Sequence, residues 1–165
     1  MVTLTRDGYL PALDDDQRKD VVRELQATLV ELIDLSSLGK HLHWNIAGRP
    51  FKPLHEHLDE LVDSWRAFSD TVAERAVALG LAPDGRSSPV SASGGLAPTP
   101  MGPLDTDEAL RELVLKLAEV TARIRSRMDR LGEIDTVSQD VLIETVRELE
   151  KQLWMLRASL PAEGA

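Results

Sequence analysis

The sequence predicts an all-α protein, a single four-helix bundle with a long crossover between helices two and three. Four long segments repeat apolar residues every three or four positions, as amphipathic helices do when one face is buried. The 165 residues, 42% of them hydrophobic, suffice for one domain with a sizeable core. A Pro-, Gly- and Ser-rich stretch at 81–104 is long enough to cross the bundle from end to end. We therefore predict one domain over 1–165, with tails at about 1–13 and 161–165.

The first two helices are predicted to be joined by a short turn. One of three consecutive aspartates, at positions 14 to 16, can cap the first helix, which leads toward Trp44. Gly48 and Pro50 interrupt this pattern. The second helix then extends from about Pro53 to Leu79, and the following glycine closes it.

The last two helices follow the crossover. Asp105 or Thr106 opens the third, and Thr136 or Ser138 opens the fourth. Their apolar stripes are typical of core packing, and we assign them no chemistry. Within the crossover, the stretch at 88–93 is the only candidate for a short helix, which the neighbouring Gly and Pro residues weaken.

The composition favours a protein that handles cations. The formal charge is −9 and the pI about 4.9, which argues against a free polyanion as the main partner. Cysteine is absent from the sequence, so disulfides and thiolate metal sites are excluded. The first 20 residues lack the apolar core of a signal peptide, and no run approaches membrane-spanning length, so we expect a cytoplasmic protein without membrane association.

The second helix carries metal-ligand side chains opposite its apolar stripe. With Leu54 at zero on a helical wheel, the stripe lies within about 40°, whereas the ligand-type residues fall at about 100° to 200°. These residues are His55, Asp59, Asp70 and Glu74. They form two i, i+4 pairs, and each pair can share a cation. On one helix alone, an acidic, solvated outer face is the more common explanation of such a pattern.

The spacing of the two pairs requires a second chain. Asp59 and Asp70 are eleven residues apart, or about 16 Å along a helix axis, so one chain cannot close both pairs on one metal. An antiparallel copy related by a two-fold axis lays one pair over the other. The sequence therefore predicts a site between subunits that occurs twice per dimer.

The segment from His41 to Gly80 resembles the Dps family, the small ferritin-like "DNA-binding proteins from starved cells". The matching residues are His43-Trp44-Asn45, Gly48, Phe51, Leu54-His55, Asp59, Asp70 and Ala73-Glu74-Arg75, and a looser match extends from about Asp16 to Leu160. The resemblance implies a ferritin-like fold, a hollow dodecamer with tetrahedral symmetry, and a di-iron ferroxidase centre. It places His43, His55 and Asp59 of one subunit opposite Asp70 and Glu74 of its neighbour, with Trp44 beside the iron as an electron donor.

This ligand set suits iron oxidation. Carboxylate oxygens and imidazole nitrogens bind Fe(II), and carboxylates are needed once the iron becomes Fe(III). Two irons deliver the two electrons that reduce hydrogen peroxide, with dioxygen as the alternative oxidant. Hydrolysis of the ferric product seeds a mineral in the enclosed space that the resemblance supplies. Asp135, Asp140 and Glu144 could line negative pores through which iron enters, although an acidic helix N-terminus explains them equally well.

Other polar and aromatic residues of this region are given lesser roles. Arg66 is assigned to an interface salt bridge with Asp63 or Asp70. Four other candidates are assigned no chemistry. The two histidines are predicted not to be ligands and the two tryptophans to be packing residues: His41, His57, Trp65 and Trp154.

The tails do not favour DNA binding. Met1 to Leu13 holds one Arg and one Asp, and 161–165 has no basic residue. Because affinity for duplex DNA comes mainly from cations placed on phosphates, we expect weak or absent DNA binding. Two alternatives to a ferroxidase remain: a nucleoid-associated, DNA-protecting shell with little catalytic activity, and a bundle that binds zinc or manganese without turnover.

Overall fold

The computed structural model describes residues 13–160, which form a bundle of four long helices. The elements in chain order are α1 (Asp15–Asn45), β1 (Ile46–Ala47), α2 (Phe51–Ala78), α3 (Ser87–Ser93), β2 (Leu104–Asp105), α4 (Thr106–Leu131) and α5 (Thr136–Ala158). The predicted all-α bundle is confirmed. The predicted tails lie outside the described residues, apart from Leu13. Within 13–160, no helix combines the length and apolar character needed to cross a membrane.

Aspartates set the starts of three long helices. The Asp14 carboxylate accepts hydrogen bonds from the backbone N–H groups of residues 16 and 17, and the Gln17 side chain accepts one from the Asp14 N–H. The Asp105 carboxylate caps α4 by accepting from the N–H of residue 107, and the Asp135 carboxylate caps α5 by accepting from the N–H groups of residues 137 and 138, without the reciprocal bond. The fourth long helix, α2, begins at Phe51 without a side-chain cap, two residues before the predicted start.

The crossover joins opposite ends of the bundle, as predicted, and contains the short helix α3 despite the flanking Gly and Pro residues. Near its end, Ile46 of β1 pairs in parallel with Leu104 of β2. Because β1 follows α1 and β2 precedes α4, the pair places the end of α1 and the starts of α2 and α4 at one end of the bundle. Helices α2 and α4 are therefore parallel. The strand pair was not predicted, since two-residue strands carry no periodic signal.

The two predicted packing tryptophans differ in burial. Trp65 is 0% exposed, and its indole N–H donates to Gln152 Oε1 at 2.8 Å. Trp154 is 68% exposed, so the prediction that it packs in the core is wrong. It follows Leu153, a core residue, and one residue turns a helix by about 100°, away from the buried stripe.

Helices α1 and α2 approach closely at Gly39. A Cβ atom there would lie 2.5 Å from Val62 Cγ2 and 2.8 Å from Trp65 Cζ3. On its other side, α1 is joined to α4 by buried ion pairs, in which Glu31 accepts from Arg127 at 2.6 and 2.9 Å and from Arg123 at 2.6 Å. These contacts fix the position of α1 against the helix that carries the candidate ligands.

Candidate metal half-site

His43, at the end of α1, and His55, near the start of α2, form a stacked pair. Their ring centroids are 3.6 Å apart, with an interplanar angle of 23°. Each Nδ1 lies 3.0 Å from the backbone carbonyl oxygen of the other residue. Because a carbonyl oxygen only accepts, both Nδ1 atoms carry the proton. In the neutral rings Nε2 is then unprotonated, which is the form that binds metals.

The turn between α1 and α2 brings these two rings together. Gly48 has φ +101°, a conformation that glycine adopts without strain. Thr106, which is 2% exposed, donates its hydroxyl to the carbonyl oxygen of Arg49 at 2.8 Å, and β2 pairs with β1 beside it. The start of α4 therefore holds the turn. This contact of Thr106 was not predicted, because nothing local links the residue to a turn 57 residues away.

Asp59 lies one turn beyond His55 and is paired with a lysine. Its Oδ1 accepts from Lys40 Nζ at 2.6 Å and lies 3.3 Å from His43 Nδ1. The pKa of Asp59 is lowered, chiefly by the hydrogen bond from Lys40; its partial burial acts in the opposite direction, and the nearby charges of His43, Lys40 and His55 add to the lowering. The ion pair of Lys40 with Asp59 was not predicted, although Lys40 lies three residues before His43 and therefore on the same face of α1.

Asp70 and Glu74 lie farther along α2 and do not meet the histidines of their own chain. Both are exposed, and neither makes an ion pair or a side-chain hydrogen bond with another residue of the described chain. Within 13–160, no three His, Asp or Glu side chains converge to hold a metal ion. One chain thus stacks His43 on His55 and places Asp59 Oδ1 3.3 Å from His43 Nδ1, and it leaves Asp70 and Glu74 apart from them on the same helix.

Trp44 and Arg66 flank this face. Trp44 is 71% exposed, and its ring centroid lies 5.8 Å from Lys40 Nζ. Arg66 Nη1 lies 3.9 Å from Asp63 Oδ1, so within the chain it contacts Asp63 and not Asp70.

The two histidines assigned no ligand role make other contacts. His41 Nε2 lies 3.3 Å from the carbonyl oxygen of Pro100, and His57 Nδ1 lies 3.1 Å from Glu60 Oε2. Neither ring joins the stacked pair.

The candidate pore residues differ in their surroundings. Asp135 caps α5 and accepts from Arg75 Nη2 at 2.7 Å. Burial raises the pKa of Asp135, but hydrogen bonds from Ser138 and Arg75 outweigh burial, so the pKa is lowered overall. Asp140 and Glu144 are exposed on α5. The capping contacts of Asp135 favour the structural explanation for that residue, whereas the two exposed carboxylates remain candidates for a pore.

A four-helix bundle with a long crossover and a stacked histidine pair where its first two helices meet is typical of the ferritin-like class, and the model of the ferritin-like domain matches residues 22–162. The chain is 34% identical to the DNA protection during starvation protein of Mycolicibacterium smegmatis over 155 residues, 94% of this chain and 85% of the relative. It is also 34% identical to the fine tangled pili major subunit of Haemophilus ducreyi over 154 residues, 93% of this chain and 82% of that protein.

Solved structures identify the family within the ferritin-like class. The tetragonal form of Mycobacterium smegmatis Dps superposes with a TM-score of 0.90 at 33% identity, covering 100% of this chain and 98% of the other. The chain belongs to the Dps family.

Proposed function

We propose that this protein oxidises Fe(II) at a site shared by two subunits and stores the ferric product in a hollow oligomer, a dodecamer by family resemblance. The observation that carries the proposal is the reciprocal hydrogen bonding of His43 and His55 to each other's carbonyl oxygens. It leaves an unprotonated Nε2 on each ring, and Asp59 Oδ1 lies 3.3 Å from His43 Nδ1. Imidazole and carboxylate together suit Fe(II), and a carboxylate-rich set retains affinity for Fe(III).

A second copy of the chain would complete the ligand set. Asp70 and Glu74 are exposed on the helix face that carries Asp59, about 16 Å and about 22 Å farther along the axis at 1.5 Å per residue. An antiparallel α2 would bring these two carboxylates over the histidine pair of its neighbour, and the isologous contact would make two sites per dimer. Trp44, exposed beside the half-site, would then lie in the interface as an electron donor.

The chemistry is a two-electron reduction. Two Fe(II) ions give one electron each to hydrogen peroxide, and with two protons the products are two Fe(III) ions and two water molecules, so no hydroxyl radical is released. The carboxylates neutralise the charge gained by the iron, and the imidazoles hold their orientation through Nδ1. Dioxygen is the alternative oxidant.

DNA protection, the role in the relatives' name, is proposed to follow from this removal of iron and peroxide. Residues 1–13 contain one Arg and residues 161–165 contain no Lys or Arg, whereas counterion release by Lys and Arg supplies most affinity for duplex DNA. We expect no retardation of plasmid in a gel at about 150 mM salt, where the Debye length is about 8 Å. Retarded plasmid would instead favour the DNA-binding shell.

The test is Fe(II) oxidation by peroxide, followed by ferric absorbance, in the wild type and in the His55→Ala, Asp59→Ala double variant. We expect the double variant to lose most of the rate. The matched control is His57→Ala, Glu60→Ala, which removes a histidine and a carboxylate from another face of the same helix. Equal rates in the wild type and in the double variant at 55 and 59 would refute the site. Binding of zinc without iron turnover in the wild type would favour the metal-binding alternative.

Assembly is tested by sedimentation. We expect an oligomer whose iron oxidation falls when it is dissociated by dilution. Rapid oxidation by a monomer would contradict a site built from two chains.

A further inference from the structure

We propose that Lys40 is a displaceable counter-cation of the half-site, one that holds Asp59 before metal binds and moves closer to the face of Trp44, which it already contacts, when a divalent cation takes the carboxylate. This inference rests on the proposed function, because it concerns the same site. It assigns a function to a residue that lies outside the ligand set.

The geometry of the ion pair is the first support. Lys40 Nζ lies 2.6 Å from Asp59 Oδ1, and His43 Nδ1 lies 3.3 Å from the same oxygen. The Lys40 side chain is 22% exposed, so its ammonium is held against the protein and does not extend into solvent. The carboxylate oxygen beside the histidine pair therefore already carries a cation, and a metal ion that binds this oxygen must compete with it.

The ammonium has a second partner, which it already contacts while it pairs with Asp59. The ring centroid of Trp44 is 5.8 Å from Lys40 Nζ, which is within the range of a cation–π interaction, about 6 Å. Lys40 and Trp44 both line a groove of about 480 Å³ between α1 and α2, together with Ser37 and Arg66. The flexible stem of lysine can rotate in this groove without moving the buried core.

The exchange keeps the charge of the site balanced. In the proposed dimer, the carboxylates of Asp59, Asp70 and Glu74 converge, and three like charges without a cation repel one another. Lys40 offsets one of them while the site holds no metal. When a divalent cation binds, it offsets the carboxylates itself and would be repelled by the ammonium. Moving the ammonium toward Trp44 removes this repulsion. Lys40 thus lowers the affinity for metal and stabilises the metal-free dimer.

The experiment measures Zn(II) binding by calorimetry on the full-length protein, so no redox activity is needed. Zn(II) binding that is lost in the His55→Ala, Asp59→Ala variant defines the site. We expect Lys40→Met to bind Zn(II) about two- to fivefold more tightly, because the metal no longer has to displace a partly exposed ion pair, which is a weak interaction. The matched control is Lys19→Met, which removes an ion pair with Asp16 from the same helix. It should leave the affinity unchanged.

The proposed movement has its own measurement. Zn(II) should change the tryptophan fluorescence of the wild type through Trp44, and the change should be absent from Lys40→Met and from Trp44→Phe. The same Zn(II)-dependent change in Lys40→Met as in the wild type would show that the ammonium does not move to Trp44.

The outcomes separate the inference from the proposed function. If the double variant at 55 and 59 binds Zn(II) as the wild type does, the site itself is wrong. If those two proteins differ but Lys40→Met binds no more tightly than the wild type, only the role of Lys40 is wrong. Should Lys40→Met fail to assemble, Lys40→Arg keeps the charge and should bind Zn(II) no more tightly than the wild type. Tighter binding by Lys40→Arg would overturn the inference.

Discussion

Replacing Gly39 by alanine should damage the half-site more than the fold. The added methyl group would lie 2.5 Å from Val62 Cγ2 and 2.8 Å from Trp65 Cζ3. Val62 is 1% and Trp65 0% exposed, so neither side chain can turn into solvent. Since carbon atoms in contact prefer about 3.5–4.0 Å, α1 must move away from α2 by about 1 Å.

The expected loss of stability is modest. Overpacking costs about 1–3 kcal/mol, whereas alanine gains up to about 1 kcal/mol over glycine inside a helix, which leaves a net loss of about 0–2 kcal/mol. For a chain of this size, that corresponds to a fall in Tm of up to about 8 °C. His43 follows Gly39 by one helical turn, so the same displacement stretches hydrogen bonds of 3.0 Å to about 4 Å and releases both rings.

The assay pairs thermal unfolding at fixed protein concentration with Zn(II) calorimetry, because oligomers unfold in a concentration-dependent way. We expect Gly39→Ala to lose at least tenfold in Zn(II) affinity while it remains folded at 25 °C. The control is Gly132→Ala, where the added Cβ lies 2.5 Å from Gln139 Nε2, the end of a flexible side chain that can move. Wild-type Tm and Zn(II) affinity in Gly39→Ala would refute the link between helix spacing and the histidine pair.

Three further predictions concern groups outside the half-site. Gln152→Leu leaves the buried N–H of Trp65 unpaired and should cost about 1–3 kcal/mol in urea unfolding, with iron oxidation unchanged. Glu31→Gln leaves the buried Arg127 and the partly exposed Arg123 without their closest counter-ion and should cost about 3 kcal/mol, measured in the same way. Because the folded-state pKa of Asp135 is lowered, its contribution to stability should be present above its ordinary value of 3.8 and be lost as pH falls through the lower, folded-state value, a dependence that Asp135→Asn should remove.

Each of these has a control. Trp65→Phe in the Gln152→Leu background removes the unpaired N–H, and failure to recover any stability would count against the hydrogen-bond explanation. Glu150→Gln breaks an exposed pair with Arg125, so a loss as large as that of Glu31→Gln would show that burial is not the cause. An acid unfolding curve of Asp135→Asn that matches the wild type would contradict the third prediction.

Local patterns were enough to predict most of the fold. The four long helices follow from apolar periodicity, and the starts of α1 and α4 follow from aspartates, because both signals act within one or two turns of chain. The cap of α5 is Asp135, whereas Thr136 or Ser138 was predicted there. The ligand face of α2 could be predicted as well, because a helix fixes the angles of its side chains whatever surrounds it. The parallel β1–β2 pair was missed since its two strands lie 58 residues apart and have no periodicity of their own.

The wrong prediction for Trp154 shows the limit of such local patterns. Its apolar character predicted packing, but its angle on α5 places it outside the stripe that the core requires. Hydrophobic residues are found on protein surfaces as well as inside them, so residue type alone does not decide burial.

By itself, the sequence determined which side chains share the outer face of α2 and that one chain cannot gather all of them. The tertiary structure decided how the first three are arranged. The carbonyl groups of His43 and His55 decide which nitrogen of the other ring carries the proton. Lys40 pairs with Asp59, and Thr106 holds the turn between α1 and α2. These contacts join segments separated by 12 to 57 residues, and only the packing of helices against one another brings such atoms within hydrogen-bonding distance.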